Sequence, residues 1–399
     1  MLPFAISPRR LSQPMFFQPN ISLSEWLHER DWASHWWFPV ACLYAAIMVP
    51  LSLGALLYQI NIPALAQPGA HAQHLLSGFT LALITGYLCG KTSRWQLLGL
   101  LTAWATARIA PLSGSPDWLG TGAQTVFACS LLWLLLPRFA RAKRWSNLML
   151  VPLLGLLAIL AVASNWLIAQ HNGWYWQRHL GSQMLLLLAL LMMFMGGRSL
   201  APAITTAHQK RGIEIQARLQ PGLEGWLIAT IGCAALLGHW LPAPAGLLLV
   251  VAGFLCLTRL WRWQVRALLG HAFISGMLIG YLWLAVGLIA CGLALICQWG
   301  WQTSVHMIST GALGTLSCCI MLRSLAQRLS RSTDWGLLAF PCLMITLAAC
   351  ARVGADLLEN RIFLLWIAAI CWSLAYLWLA WKWSGIWCAR PDSNRRPTA

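Results

Sequence analysis

The stretch "PGAHAQHLLSGFTLALITGYLCGKTSR", residues 68–94, decides the fold class. Between His74 and Gly90 it carries no charged residue, while His71 and His74 mark one boundary and Lys91 and Arg94 the other. A helix rises 1.5 Å per residue, so about 20 apolar residues cover a hydrocarbon core of roughly 30 Å. Runs of about that length recur at 38–60, 74–90, 97–112, 121–136, 148–169, 180–197, 223–240, 243–260, 272–297, 304–321, 335–354 and 362–381. The sequence therefore predicts an all-α integral membrane protein of about twelve transmembrane helices.

Composition agrees. Of 399 residues 59% are hydrophobic and only 9% charged, with a mean hydropathy of +0.65. The net charge of +17 is distributed as a topology signal and not as a polyanion groove. All but four of the 27 lysines and arginines fall in the N-terminal segment, the even-numbered loops and the C-terminal end. The four are Arg108, Arg178, Arg352 and Arg361. Positive residues stay in the cytoplasm, so both termini are expected there.

Residues 1–37 read as a cytoplasmic segment in which Trp26, Trp32, Trp36 and Trp37, set among charges over 21–37, suit an interfacial helix. Arg9 and Arg10 are followed by no apolar stretch of signal-peptide type. Residues 38–387 form the membrane domain. The tail "CARPDSNRRPTA", 388–399, resembles the translated edge of a structured RNA gene and is assigned no function. Gly86 with Gly90, and Gly276 with Gly280, have the spacing that lets helix backbones approach closely. The 13 cysteines show no CxxC spacing and read as packing; the neighbours Cys318 and Cys319 diverge by about 100° on a helix. The lipid bilayer is the expected partner and nucleic acid is not, while a homo-oligomer stays open.

Six of the ten histidines, His71, His74, His171, His179, His239 and His306, map to the predicted outer side. Neutral imidazole is a common ligand for transition metals and haem iron. His71 and His74, three apart, share a helix face, and with His306 or His239 they can hold copper or supply an axial haem ligand. Interfacial anchoring is the bland alternative. Arg108, inside the third run, either snorkels to the outer surface or pairs with Asp117, Asp356 or a haem propionate. No nucleophile triad, phosphate loop or paired-carboxylate motif appears, so no catalytic residue is assigned.

Several stretches resemble the NnrS family, polytopic bacterial membrane proteins linked to haem, copper and the response to nitric oxide. They are "HAQHLLSGFTLALITGYLCG" (71–90), "LLTAWATARIA" (100–110), "ASNWLIAQHNG" (163–173), "GGRSLAPAIT" (196–205), "IGYLWLAVGL" (279–288) and "HMISTGALGTLSCCIMLR" (306–323), in family order. The departures are equally specific. In the family's His-Ala-His-Glu pattern His71 matches the first histidine, Gln73 replaces the second and His74 stands at the acid. Leu278 occupies another expected histidine position, and Gln327 and Arg328 lie where a Gly-His element is expected.

The resemblance implies an inner-membrane protein supporting tolerance of nitric oxide. It implies haem or copper held by His71 and His306, with His74 and His239 as further metal candidates and Arg108 as charge partner; the departures leave loss of the cofactor open. A small-solute transporter and a cofactor-free membrane scaffold are the alternatives.

Overall fold

Each of the twelve apolar runs overlaps a helix among the described residues. The computed structural model describes residues 23–58, 62–67, 69–141, 145–168, 174–212 and 220–388. Helix α1 (Leu23–His28) and strand β1 (Arg30–Trp32) lead into α2 (Ala33–Tyr58). Then α3 (Pro63–Ala66) and α4 (Ala70–Gln73) precede a π-helical segment (His74–Phe79) that continues as α5 (Thr80–Leu88). After β2 (Lys91–Ser93) come α6 (Arg94–Leu112), α7 (Asp117–Ala140), α8 (Trp145–Leu148), α9 (Leu150–Ile168) and α10 (Trp174–Gln209). They are followed by α11 (Pro221–Leu237), α12 (Pro242–Arg262), α13 (Ala272–Cys297) and α14 (Trp301–His306). A second π segment (Met307–Ala312), α15 (Leu313–Arg328), α16 (Trp335–Gly354) and α17 (Arg361–Cys388) complete the chain.

Among the described residues, nine helices are long and apolar enough to cross a membrane. The runs at 74–90, 97–112 and 223–240 correspond to the first π segment with α5, to α6 and to α11, which are shorter or more polar. This is a multi-pass, all-α membrane architecture. Helices from the two ends of the chain pack together, α2 against both α5 and α17.

The lead-in differs from the expected interfacial helix over 21–37. Among the described residues only α1 is helical before β1, which pairs antiparallel with β2 (Arg30 opposite Ser93, Asp31 opposite Thr92, Trp32 opposite Lys91). Helix α2 starts at Ala33, which carries Trp37 into the core. There its ring lies 6.0 Å from Trp104, edge-on, and 5.7 Å from Phe127. Aromatic partners on two neighbouring helices, α6 and α7, outweigh the headgroup preference that the sequence pattern suggested.

The glycines at 276 and 280 mark a helix contact: a Cβ there would meet Cys319 Sγ at 2.7 Å and Leu316 at 2.6 Å. Gly86 lies as close to Phe38, whereas Gly90 serves a different end, a left-handed turn at φ +61° leading into β2. The tightest crossing is between α12 and α13. A Cβ on Gly246 would stand 2.5 Å from the Gly292 carbonyl, and one on Gly292 would stand 2.4 Å from that of Gly246. Backbone on both sides leaves nothing flexible to yield. Gly292→Ala is therefore expected to lower stability by about 1–3 kcal/mol through overpacking, read as a lower thermal midpoint in detergent.

Candidate functional site

Two of the predicted ligands, His71 and His306, are brought to the same place, and each directly precedes an irregular stretch of helix. His71 lies on α4 before the first π segment, His306 at the end of α14 before the second. A π turn slips the hydrogen-bond ladder by one residue and is frequent at functional sites. In the first segment Ser77 Oγ donates to the Gln73 carbonyl (2.7 Å), Thr80 Oγ1 to the Leu75 carbonyl (3.1 Å) and the Trp104 indole to the Gly78 carbonyl (3.0 Å). These donors serve carbonyls in and beside the interrupted turn.

Hydrogen bonds assign the tautomers. Ser52 donates its proton to the Val49 carbonyl (3.0 Å), so its oxygen accepts from His71 Nδ1 at 2.6 Å. His306 Nδ1 donates to the Gln302 carbonyl, also at 2.6 Å. Both imidazoles thus carry the proton on Nδ1 and keep the Nε2 lone pair, the arrangement a neutral metal-ligating histidine takes. His74 is engaged differently: its Nδ1 lies 2.6 Å from the Tyr44 hydroxyl, so this ring is committed to the tyrosine.

His71 and His306 line two adjoining cavities of about 280 and 440 Å3. The smaller is walled by Leu53, Leu76, Phe79, Leu313 and Trp372, with the guanidinium groups of Arg352 and Arg361 at its rim. The larger also takes in Gln73, Ser164, Gln177 and Arg178. Among the described residues no carboxylate lines either. Asp356 stands behind the arginines, accepting from Thr303 (2.6 Å) and Arg352 (2.8 Å), with Arg361 at 3.7 Å. Burial pushes its carboxyl pKa up, but the Thr303 and Arg352 hydrogen bonds and the two guanidinium charges overcome this and hold it below the usual carboxylate value. Stability from this clamp is present above the unfolded Asp value of about 3.9 and is lost as pH falls through the lower folded value. Asp356→Asn is therefore expected to lower the thermal midpoint at pH 7, with the difference from the parent shrinking below about pH 4.

The remaining candidates lie elsewhere. His239 packs on His179, ring centroids 4.3 Å apart, and on Trp176, lining a neighbouring cavity of about 520 Å3. Among the described residues no three or more His, Cys, Asp or Glu side chains converge as a metal-ion site, so the three-histidine copper arrangement is not assembled. His171 falls outside the described residues. Arg108 is 2% exposed and turns inward, its Nη2 donating to Gln124 Oε1; neither Asp117 nor Asp356 is its partner. Gln73, at the position of the missing family histidine, hydrogen-bonds Asn165 Oδ1 through its amide, so a buried amide pair occupies that position. Sequence reading missed Ser52, Arg352, Arg361 and both π segments. The arginines had a visible signal: they are two of the four basic residues that break the charge asymmetry.

The family model described as "NnrS protein" matches residues 35–390. No curated protein and no solved structure matches the chain.

Proposed function

The chain belongs to the NnrS family, and from that premise we propose that it is a bacterial inner-membrane protein that holds haem between His71 and His306 and supports tolerance of nitric oxide. One observation carries the reading: two imidazoles, each fixed through Nδ1 and each with Nε2 left as lone pair, border the same apolar cavities. Together the cavities reach the size range of cofactor pockets, which run about 300–1,000 Å3. Arg352 and Arg361 supply cations to carboxylate groups of the kind haem carries, and the leucine, phenylalanine and tryptophan walls exclude water. Haem held there would supply an iron centre that exchanges electrons. The chain's own residues hold and orient: Ser52 and the Gln302 carbonyl fix the two rings, and Asp356 fixes Arg352. Haem is favoured over copper because His71 and His306 would be a sufficient set of protein donors for haem, and no third donor joins them among the described residues.

Both termini are placed in the cytoplasm on the strength of the charge asymmetry, which puts this site at the outer face. A second reading, transport of a small solute, has the two interrupted helices in its favour. Against it, among the described residues no carboxylate for ion coupling lines the cavities.

The functional test is growth under a nitric oxide donor of cells lacking the gene, complemented with the parent chain or with His71→Ala/His306→Ala at equal membrane abundance. The proposal expects rescue by the parent alone; equal rescue by both would refute the role of this pair.

A further inference from the structure

At the opposite end of the bundle, the end predicted to face the cytoplasm, lies a cavity of about 780 Å3 that the His71 and His306 site does not use. Three guanidinium groups, of Arg198, Arg323 and Arg328, line it together with Ser34, Ser199, Ser324, Tyr87 and Gln327. Among the described residues no carboxylate lines it, and none forms an ion pair with any of the three arginines. The nearest acid by influence on Arg328 is Asp31. Its oxygens are already engaged, Oδ1 by the Trp32 amide (2.7 Å) with His35 at 3.4 Å, and Oδ2 by the Trp36 indole (2.9 Å).

The arginines are held in position and still have donors to spare. Arg323 lies 4.2 Å over the Phe273 ring and gives one hydrogen bond to the Ser199 carbonyl (2.9 Å). Arg328 lies 4.2 Å over Trp32 and gives one to Ser34 Oγ (2.7 Å). A guanidinium has five N–H donors, so most remain available. The β1–β2 ribbon contributes Trp32 to the wall.

We propose that this cavity binds a phosphate group, carried either by an acidic phospholipid at the cytoplasmic leaflet or by a soluble phosphate compound. Arginine forks match the oxygens of a phosphate, and hydroxyl groups from three serines and a tyrosine satisfy those that remain. A cation is repelled by the three charges, and an apolar ligand leaves the guanidinium donors unpaired. Lys91 on the same ribbon adds to the positive field that draws an anion to this end.

The test uses the full chain, delipidated in neutral detergent. Binding is measured by native mass spectrometry and thermal midpoint against dioleoylphosphatidylglycerol, dioleoylphosphatidylcholine and inorganic phosphate. The parent is expected to bind one phosphatidylglycerol, or one phosphate, per chain. Arg198→Gln, an exposed position chosen because it leaves folding intact, and Arg323→Gln/Arg328→Gln are each expected to weaken binding about tenfold or more. Arg262→Gln, exposed at the same end but outside the cavity, leaves it unchanged. Binding of phosphatidylglycerol without phosphate identifies a lipid headgroup, and competition by phosphate identifies a soluble ligand. No binding of either, equal binding of phosphatidylcholine, or unchanged affinity in Arg198→Gln overturns the proposal.

Discussion

Replacement of His71 and His306 together by alanine is expected to abolish haem absorbance in the purified protein while its helical content persists. Both side chains are half-buried and border cavities, so alanine at each enlarges a space already present and is expected to leave the helices intact. Loss of a ring-orienting hydrogen bond alone typically weakens metal sites about 10–100-fold, so removal of a ligand is expected to cost at least as much. Ser52→Ala, which frees the His71 ring without removing it, should fall between the parent and the His71→Ala variant. His74→Ala and His239→Ala should retain the haem spectrum, because the first ring is committed to Tyr44 and the second to the His179 cluster. Occupancy by pyridine haemochrome on equal amounts of folded protein provides the readout.

The second large effect is expected at Glu224. Its carboxylate pairs with Arg259 at 2.5 Å, and Arg259, only 3% exposed, also lies against Met193 Sδ and 4.7 Å over the Trp263 ring. Removing one partner of such a pair leaves a buried charge without compensation, a loss of about 3–5 kcal/mol. Glu224→Ala should therefore lower the thermal midpoint strongly, and adding Arg259→Met should recover most of the loss, since an apolar replacement of both partners is often neutral. The Glu29–Arg94 pair (2.6 Å) is the milder case: Arg94 is buried, but the glutamate is 56% exposed and shared with water, so Glu29→Ala is expected to cost less than Glu224→Ala.

Helix positions were legible because a bilayer imposes a minimum apolar length, and that length is written directly into the chain. The runs at 272–297 and 335–354 coincide with α13 and α16 to the residue. The irregular features were not legible. A π segment depends on where a hydrogen-bond ladder slips, and "HLLSGF" and "MISTGA" have compositions that an α-helix tolerates equally well. The β1–β2 ribbon is three residues per strand and depends on a partner about 60 residues away. Trp37 carried the composition of an interface residue, and only its neighbours Trp104 and Phe127 make it core.

At the candidate site, residue types were legible and convergence was not. His71, His74, His239 and His306 all stood out by type and predicted side. Which of them keeps a lone pair depends on Ser52, Tyr44 and a backbone carbonyl, none of which carries a spacing signal. Arg108 looked like a snorkelling side chain by position alone. A buried glutamine on the next helix, Gln124, turns it inward.

The most direct measurement is a reduced-minus-oxidised absorption spectrum of the chain purified from haem-replete, copper-supplied cells, with iron and copper determined on the same sample. The account predicts a Soret band with iron near one per chain and copper well below that. Folded protein with no Soret band, or with copper in place of iron, would contradict it.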